Sequence, residues 1–240
     1  MGAVAFAVLL PFALNRTPPA STASTPGTPE PAEDGTPEPE PTAEPEPVAV
    51  LAVGDGWTVA TGDGAATWPQ LVVEGLAADG TPAELTVAAG AGAGYMQPGA
   101  DGNTFEELVA AQPADRVFDV VVFFGSQNDT GGAAAVRTAA TAAFTRAQEA
   151  WPDAGLVVVG PPWRGDDPPA SVIEARAGVQ SAATAAGATF LDPLEEGWFA
   201  EDEGLVAGAD GGYPTATGHR LLADRILPAV RAALEARTAE

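Results

Sequence analysis

A chain of 240 residues with no cysteine, no lysine, ten arginines and 33 acids carries a net charge of −23. Without thiolates it has no cysteine nucleophile, thiolate zinc site or iron–sulfur cluster, and without a basic face it is no nucleic-acid binder held by phosphate contacts. Residues 48–240 alone hold nine arginines against 26 acids, a balance of −17, so anionic surfaces and substrates are expected to be repelled.

Residues 3–14 (AVAFAVLLPFAL) are an apolar run of 12, short of the roughly 20 needed for a membrane-spanning helix and matched to the hydrophobic region of a signal peptide. Only Met1 and Gly2 precede the run. The missing basic residues leave open a start upstream of Met1. Ser21-Thr22-Ala23 offers small residues for cleavage, so 1–16 is read as a cleaved signal or a retained membrane anchor. Either reading places the rest outside the cytoplasm, secreted or anchored. Residues 17–47 contain ten prolines among 31 residues, with repeated Glu-Pro pairs such as Glu38-Pro39 and Glu40-Pro41. Such a segment cannot bury enough apolar surface to offset its chain entropy, and charge repulsion extends it. The expectation is a disordered linker or stalk.

From residue 48 onward, 193 residues suffice for one domain with its own core. Short apolar runs at 48–53, 83–88, 117–124, 156–159 and 188–191 alternate with helix-length segments near 65–78, 103–112, 132–150, 170–186 and 215–237. Continuous apolar runs suit parallel strands buried on both faces. The alternation predicts an α/β fold, a three-layer, doubly wound, flavodoxin-like sheet of about five parallel strands. Functional groups then gather on the loops at the carboxyl ends of the strands. Those loops read 54–58 (GDGWT), 90–95 (GAGAGY), 125–129 (GSQND), 161–163 (PPW) and 210–214 (DGGYP).

As a set, these blocks resemble the SGNH (GDSL) hydrolases, esterases and lipases on an α/β fold. In that family a Gly-Asp-Ser turn supplies the nucleophile, a second-block Gly and a third-block Asn help hold the oxyanion, and a late Asp-x-x-His-Pro supplies acid and base. The resemblance covers nearly all of 48–240 and implies roles for Gly92 or Gly94, for Asn128 and for Asp210 as the remaining triad acid. Two positions depart from the pattern: Gly56 stands where the family has serine, and Tyr213 where it has histidine. A hydroxyl attacks an ester only when a positioned base takes its proton. Glycine has no side chain, and a tyrosine hydroxyl, with an ordinary pKa near 10, is a poor base at pH 7. The expected reading is a catalytically inactive domain whose pocket retains ester or carbohydrate binding. An active esterase with an unconventional nucleophile, and a structural cell-envelope module, are the alternatives.

Other candidates are weaker. Thr58 and Ser126 carry hydroxyls near the turn and the third block, but a nucleophile misplaced by even about 1 Å loses on the order of a hundredfold. His219, the one histidine, falls in a helix start and is expected to cap or cover that helix. Asp55, Asp129 and Asp210 would suit a hard cation, yet turn and cap hydrogen bonding accounts for Asp55 and Asp129 after their strands. No metal and no cofactor is expected. Trp57, Tyr95, Trp163 and Trp198 lie near the mouth, where aromatic faces stack on a sugar or acyl group or pack the rim. Asp55, Trp57, Tyr95 and Asp129 are the pocket candidates. The glycines give neither a dinucleotide fingerprint, since Val59 sits where its third glycine belongs, nor a Gly-Lys-Ser/Thr loop. Nothing in the pattern fixes an oligomeric state.

Overall fold

The five apolar runs become one sheet of parallel strands in the order β2-β1-β3-β4-β5: β1 (Val48–Gly54), β2 (Ala83–Ala89), β3 (Val120–Phe124), β4 (Gly155–Val159) and β5 (Thr189–Leu191). The computed structural model describes residues 46–59, 65–201, 203–207 and 212–238. The expected signal or anchor segment, nearly all of the proline-rich linker, and Asp210 lie outside the described residues. Among the described residues no helix is long and apolar enough to cross a membrane.

Side-chain alternation along each strand divides the core between the two faces. On one face Leu51, Val53, Val121, Phe123 and Val158 pack with the helices α3 (Phe105–Ala110), α4 (Ala133–Ala150) and α5 (Ala170–Ala185). Edge-to-face aromatic contacts brace it, Phe123 on Phe144 at 5.0 Å and Phe118 on Trp151 at 4.8 Å. On the other face Val50, Ala52, Val122 and Phe124 meet α2 (Trp68–Ala78) and α6 (Ala216–Thr238), through Trp68, Val72, Leu222 and Ile226. β1 and β3, enclosed on both sides, are accordingly apolar without interruption.

Helix starts follow their sequences. Thr104 and Glu107 form a capping box at α3, with the Thr104 N–H donating to Glu107 Oε2 at 2.8 Å. α2 has the same kind of box, with the Thr67 N–H donating to Gln70 Oε1 at 2.8 Å, and a tertiary contact besides: the Trp68 N–H donates to Nδ1 of His219, 3.1 Å away. His219 is thus a buried structural residue, but the helix it caps is α2 and not its own.

The third strand is shorter than the apolar run suggests. Asp119 interrupts the run: its carboxylate accepts from the Ala49 N–H at 2.6 Å and pairs with Arg237 at 2.6 Å. Val117, before it, is 71% exposed. Two small elements had no clear pattern in the sequence, the single turn α1 (Gly56–Val59) and the two-residue antiparallel pair β6 (Val206–Ala207) with β7 (Tyr213–Pro214).

Register aligns the strand ends: Gly54 lies beside both Ala89 and Phe124, Phe124 beside Val159, and Val159 beside Leu191. The site loops therefore leave the sheet from one edge.

Candidate functional site

At the end of β1 the chain turns sharply into α1. Asp55 organises this turn: its Oδ1 accepts from the Trp57 N–H at 2.9 Å, and its backbone carbonyl accepts from Thr58 at 3.0 Å. Its other oxygen, Oδ2, accepts from the Asn128 side-chain amide at 3.0 Å, which ties the first block to the third. Burial removes water from this carboxyl and pushes its pKa up to about 7, more than the hydrogen bonds from Trp57 and Asn128 pull it down.

Gly56 follows directly. A Cβ on it would lie 2.4 Å from Cε1 of Tyr213 and 3.3 Å from the Tyr213 hydroxyl. Gly56 and Tyr213, the two expected departures from the resembled pattern, thus meet in space: the tyrosine ring, carried in by β7, lies where a side chain at position 56 would project. Tyr213 remains 41% exposed on its outer side.

The second block folds onto the third through Asp129. Its carboxylate accepts the backbone N–H groups of Tyr95, Met96 and Gln97, at 3.0, 2.8 and 3.1 Å. Burial raises its pKa and the three N–H groups oppose that shift. A Cβ on Gly94 would sit 2.6 Å from Asp129 Oδ1, so Gly94 is the glycine of close approach. Gly92, at φ +75° with nothing within 4 Å of a Cβ, faces open space and is the second-block glycine at the cavity. Asn128 donates both amide protons, one to Asp55 and one to the Ala93 carbonyl at 2.8 Å.

A cavity of about 700 Å³ opens over this edge, lined by Asp55, Gly56, Trp57, Gly92, Gln127, Asn128, Trp163, Arg164 and Tyr213. Five of the expected residues thus come together there with Tyr213: Asp55, Gly56, Trp57, Gly92 and Asn128. Two pocket candidates do not. Tyr95 is 2% exposed and its ring packs 4.8 Å from Phe105 and 5.6 Å from Phe144, because Asp129 pins its backbone at the loop and turns the side chain into the core. Asp129 itself is spent on that loop and does not line the cavity. Trp198 also packs into the core. Trp57 is mostly buried, edge-on to Phe199 at 5.1 Å.

Neither spare hydroxyl is presented to the cavity. Ser126 is fully buried, its Oγ accepting from the Asn128 N–H at 2.9 Å and lying 3.2 Å from the Ala93 carbonyl it donates to. Thr58 is fully buried, its hydroxyl packed where a Cβ on Gly54 would fall. Sequence reasoning missed Gln127 and Arg164. The only signal for Arg164 was a lone cation after Trp163 in a strand-end loop. Among the described residues no group of three or more His, Asp or Glu could hold a metal ion.

A model of the GDSL-like lipase/acylhydrolase family matches residues 52–221. The chain is 39% identical over 194 residues to a GDSL lipase of Mycobacterium tuberculosis, covering 75% of this chain and 80% of that protein. Among solved structures, it superposes on TesA with a TM-score of 0.64 at 19% identity, covering 78% of this chain and 99% of that one. The native aryl esterase of M. smegmatis gives 0.60 at 18% identity, over 78% and 100% of the two chains. A lipase/acylhydrolase from Enterococcus faecalis gives 0.60 at 18%, over 77% and 96%. At such identities the structural likeness is one of fold.

Proposed function

The chain belongs to the GDSL-like lipase/acylhydrolase family, and from that premise we propose that it is an exported, stalk-borne member that has lost ester hydrolysis and keeps its cavity for binding. The observation that carries this reading is the juxtaposition of Gly56 with the Tyr213 ring. Acyl transfer through an enzyme-bound ester needs a nucleophile and a base to take its proton. Position 56 has no side chain, and the group beside it is a phenol. In a serine hydrolase, loss of nucleophile or base costs on the order of 10⁶ in turnover, about 8 kcal/mol of barrier. The oxyanion donors and binding alone leave about 10³–10⁴ over water.

Burial of Thr58 and Ser126 argues against a substitute nucleophile, and His219 is engaged at the start of α2. The open cavity favours a binding role over a purely structural one. Export is supported by the apolar run at 3–14 and the proline-rich stretch behind it.

The test is release of p-nitrophenol from short-chain p-nitrophenyl esters by the purified protein. The expected rate is at most the residual left by oxyanion donors and binding, far below ordinary enzymatic turnover. Turnover on the order of 1 s⁻¹ or faster, in the ordinary enzymatic range, would overturn the reading.

A further inference from the structure

We propose that the cavity at the strand ends binds a small carboxylate as a stable ligand. This rests on the non-catalytic reading, since a hydrolase would hold such an acid only as a departing product.

The argument is an inventory of donors and acceptors. Both oxygens of Asp55 are occupied from within, by the Trp57 N–H and the Asn128 amide. Both amide protons of Asn128 are spent on Asp55 and the Ala93 carbonyl. What the cavity still offers is mainly donors. Gly56 and Gly92, with their backbone N–H groups, line it. The Tyr213 hydroxyl stands within 3.3 Å of where a Cβ on Gly56 would be. Arg164 lines the same cavity from its exposed position after β4. A guanidinium has five N–H donors, so it can serve a ligand while keeping a contact within the chain.

With a phenol in place of the family's histidine, the site lacks a base and has a hydroxyl able to donate. A ligand that only accepts hydrogen bonds and carries a negative charge complements that set, and a carboxylate does so with two oxygens. The acidity of the domain opposes an anion at long range, but at physiological salt such fields are screened over about 8 Å. Contact with Arg164 decides the matter at short range. Trp163, half-buried, and the Tyr213 ring supply aromatic walls. Benzoate is therefore a suitable probe, and benzamide its neutral counterpart.

The test titrates the full chain with benzoate and with benzamide at pH 7 by calorimetry, and repeats both with Arg164→Gln, a change at an exposed position. Benzoate is expected to bind at least about tenfold tighter than benzamide, and the variant to lose about that preference, as fits a charge-assisted contact. Equal binding of the two, an unchanged preference in the variant, or no benzoate binding up to about 10 mM overturns the proposal. Parallel incubation with p-nitrophenyl benzoate separates the two failures. Silence there with no benzoate binding removes the carboxylate alone, whereas turnover removes the non-catalytic reading together with it.

Discussion

Changing Gly56→Ser together with Tyr213→His is expected to raise ester hydrolysis by on the order of 10³-fold or more, while either change alone leaves the protein silent. The magnitude follows from what is added: a nucleophile and a general base, the latter typically worth 10²–10⁴. The dependence of one change on the other has two causes. Chemically, a serine without a base and a base without a serine are both idle. Sterically, a Cβ at position 56 would lie 2.4 Å from the tyrosine ring, so Gly56→Ser alone forces Tyr213 aside at a cost of about 1–3 kcal/mol. The smaller imidazole relieves that overlap. Rates and urea unfolding of the two single variants and the double one complete the cycle. A Gly56→Ser protein that is as stable and as silent as the parent contradicts the steric half of the argument. A double variant that folds but stays silent contradicts the claim that the remaining site is intact.

Stability should fall as pH rises from about 4 to about 7, and Asp55→Asn should remove much of that fall. Folding raises the Asp55 pKa from an ordinary 3.8 to about 7. Between those values the folded chain holds a proton that the unfolded chain has released, so stability is greatest below the unfolded pKa and declines until the folded pKa is passed. About three pKa units correspond to up to about 4 kcal/mol. Asp129, also shifted upward by burial, adds in the same direction. Urea unfolding at intervals from pH 4 to 8 measures the difference. The variant is expected to be the less stable protein at pH 4, because its amide can face the Asn128 amide donor to donor. Its decline toward pH 7 should be the shallower of the two. Parallel curves would show that Asp55 titrates as it does in the unfolded chain.

Much of the fold could be read from the residues because a parallel sheet covered on both faces demands unbroken apolar strands, and β1, β3 and β4 have them. What escaped depended on partners distant in sequence. Nothing local says that Asp119 will bind the Ala49 N–H and Arg237 and so delay β3. The site divides in the same way. Gly56, Asn128 and Tyr213 were marked by the order of the blocks; the blocks of Gly56 and Asn128 end strands whose ends align, while that of Tyr213 lies on β7, outside the main sheet. The choice between Gly92 and Gly94 was not, because it is made by Asp129, which crowds one glycine and leaves the other open. Tyr95 misled for the same reason: a mouth residue by position, it is turned inward by the hydrogen bonds that hold its loop. Arg164 and Gln127 lie in or beside loops already expected at the mouth, but that these two residues line the cavity only the folded chain reveals.

The central claim is that a family scaffold persists without an activated nucleophile, and a substrate-independent reagent tests it most directly. A fluorophosphonate forms a covalent bond with a hydroxyl only where a base and oxyanion donors activate it. Intact-mass and peptide analysis after incubation with the unaltered protein should find no adduct, while the Gly56→Ser, Tyr213→His protein should carry one, at position 56. An adduct on the unaltered protein would contradict the claim and would mark the residue that performs the chemistry.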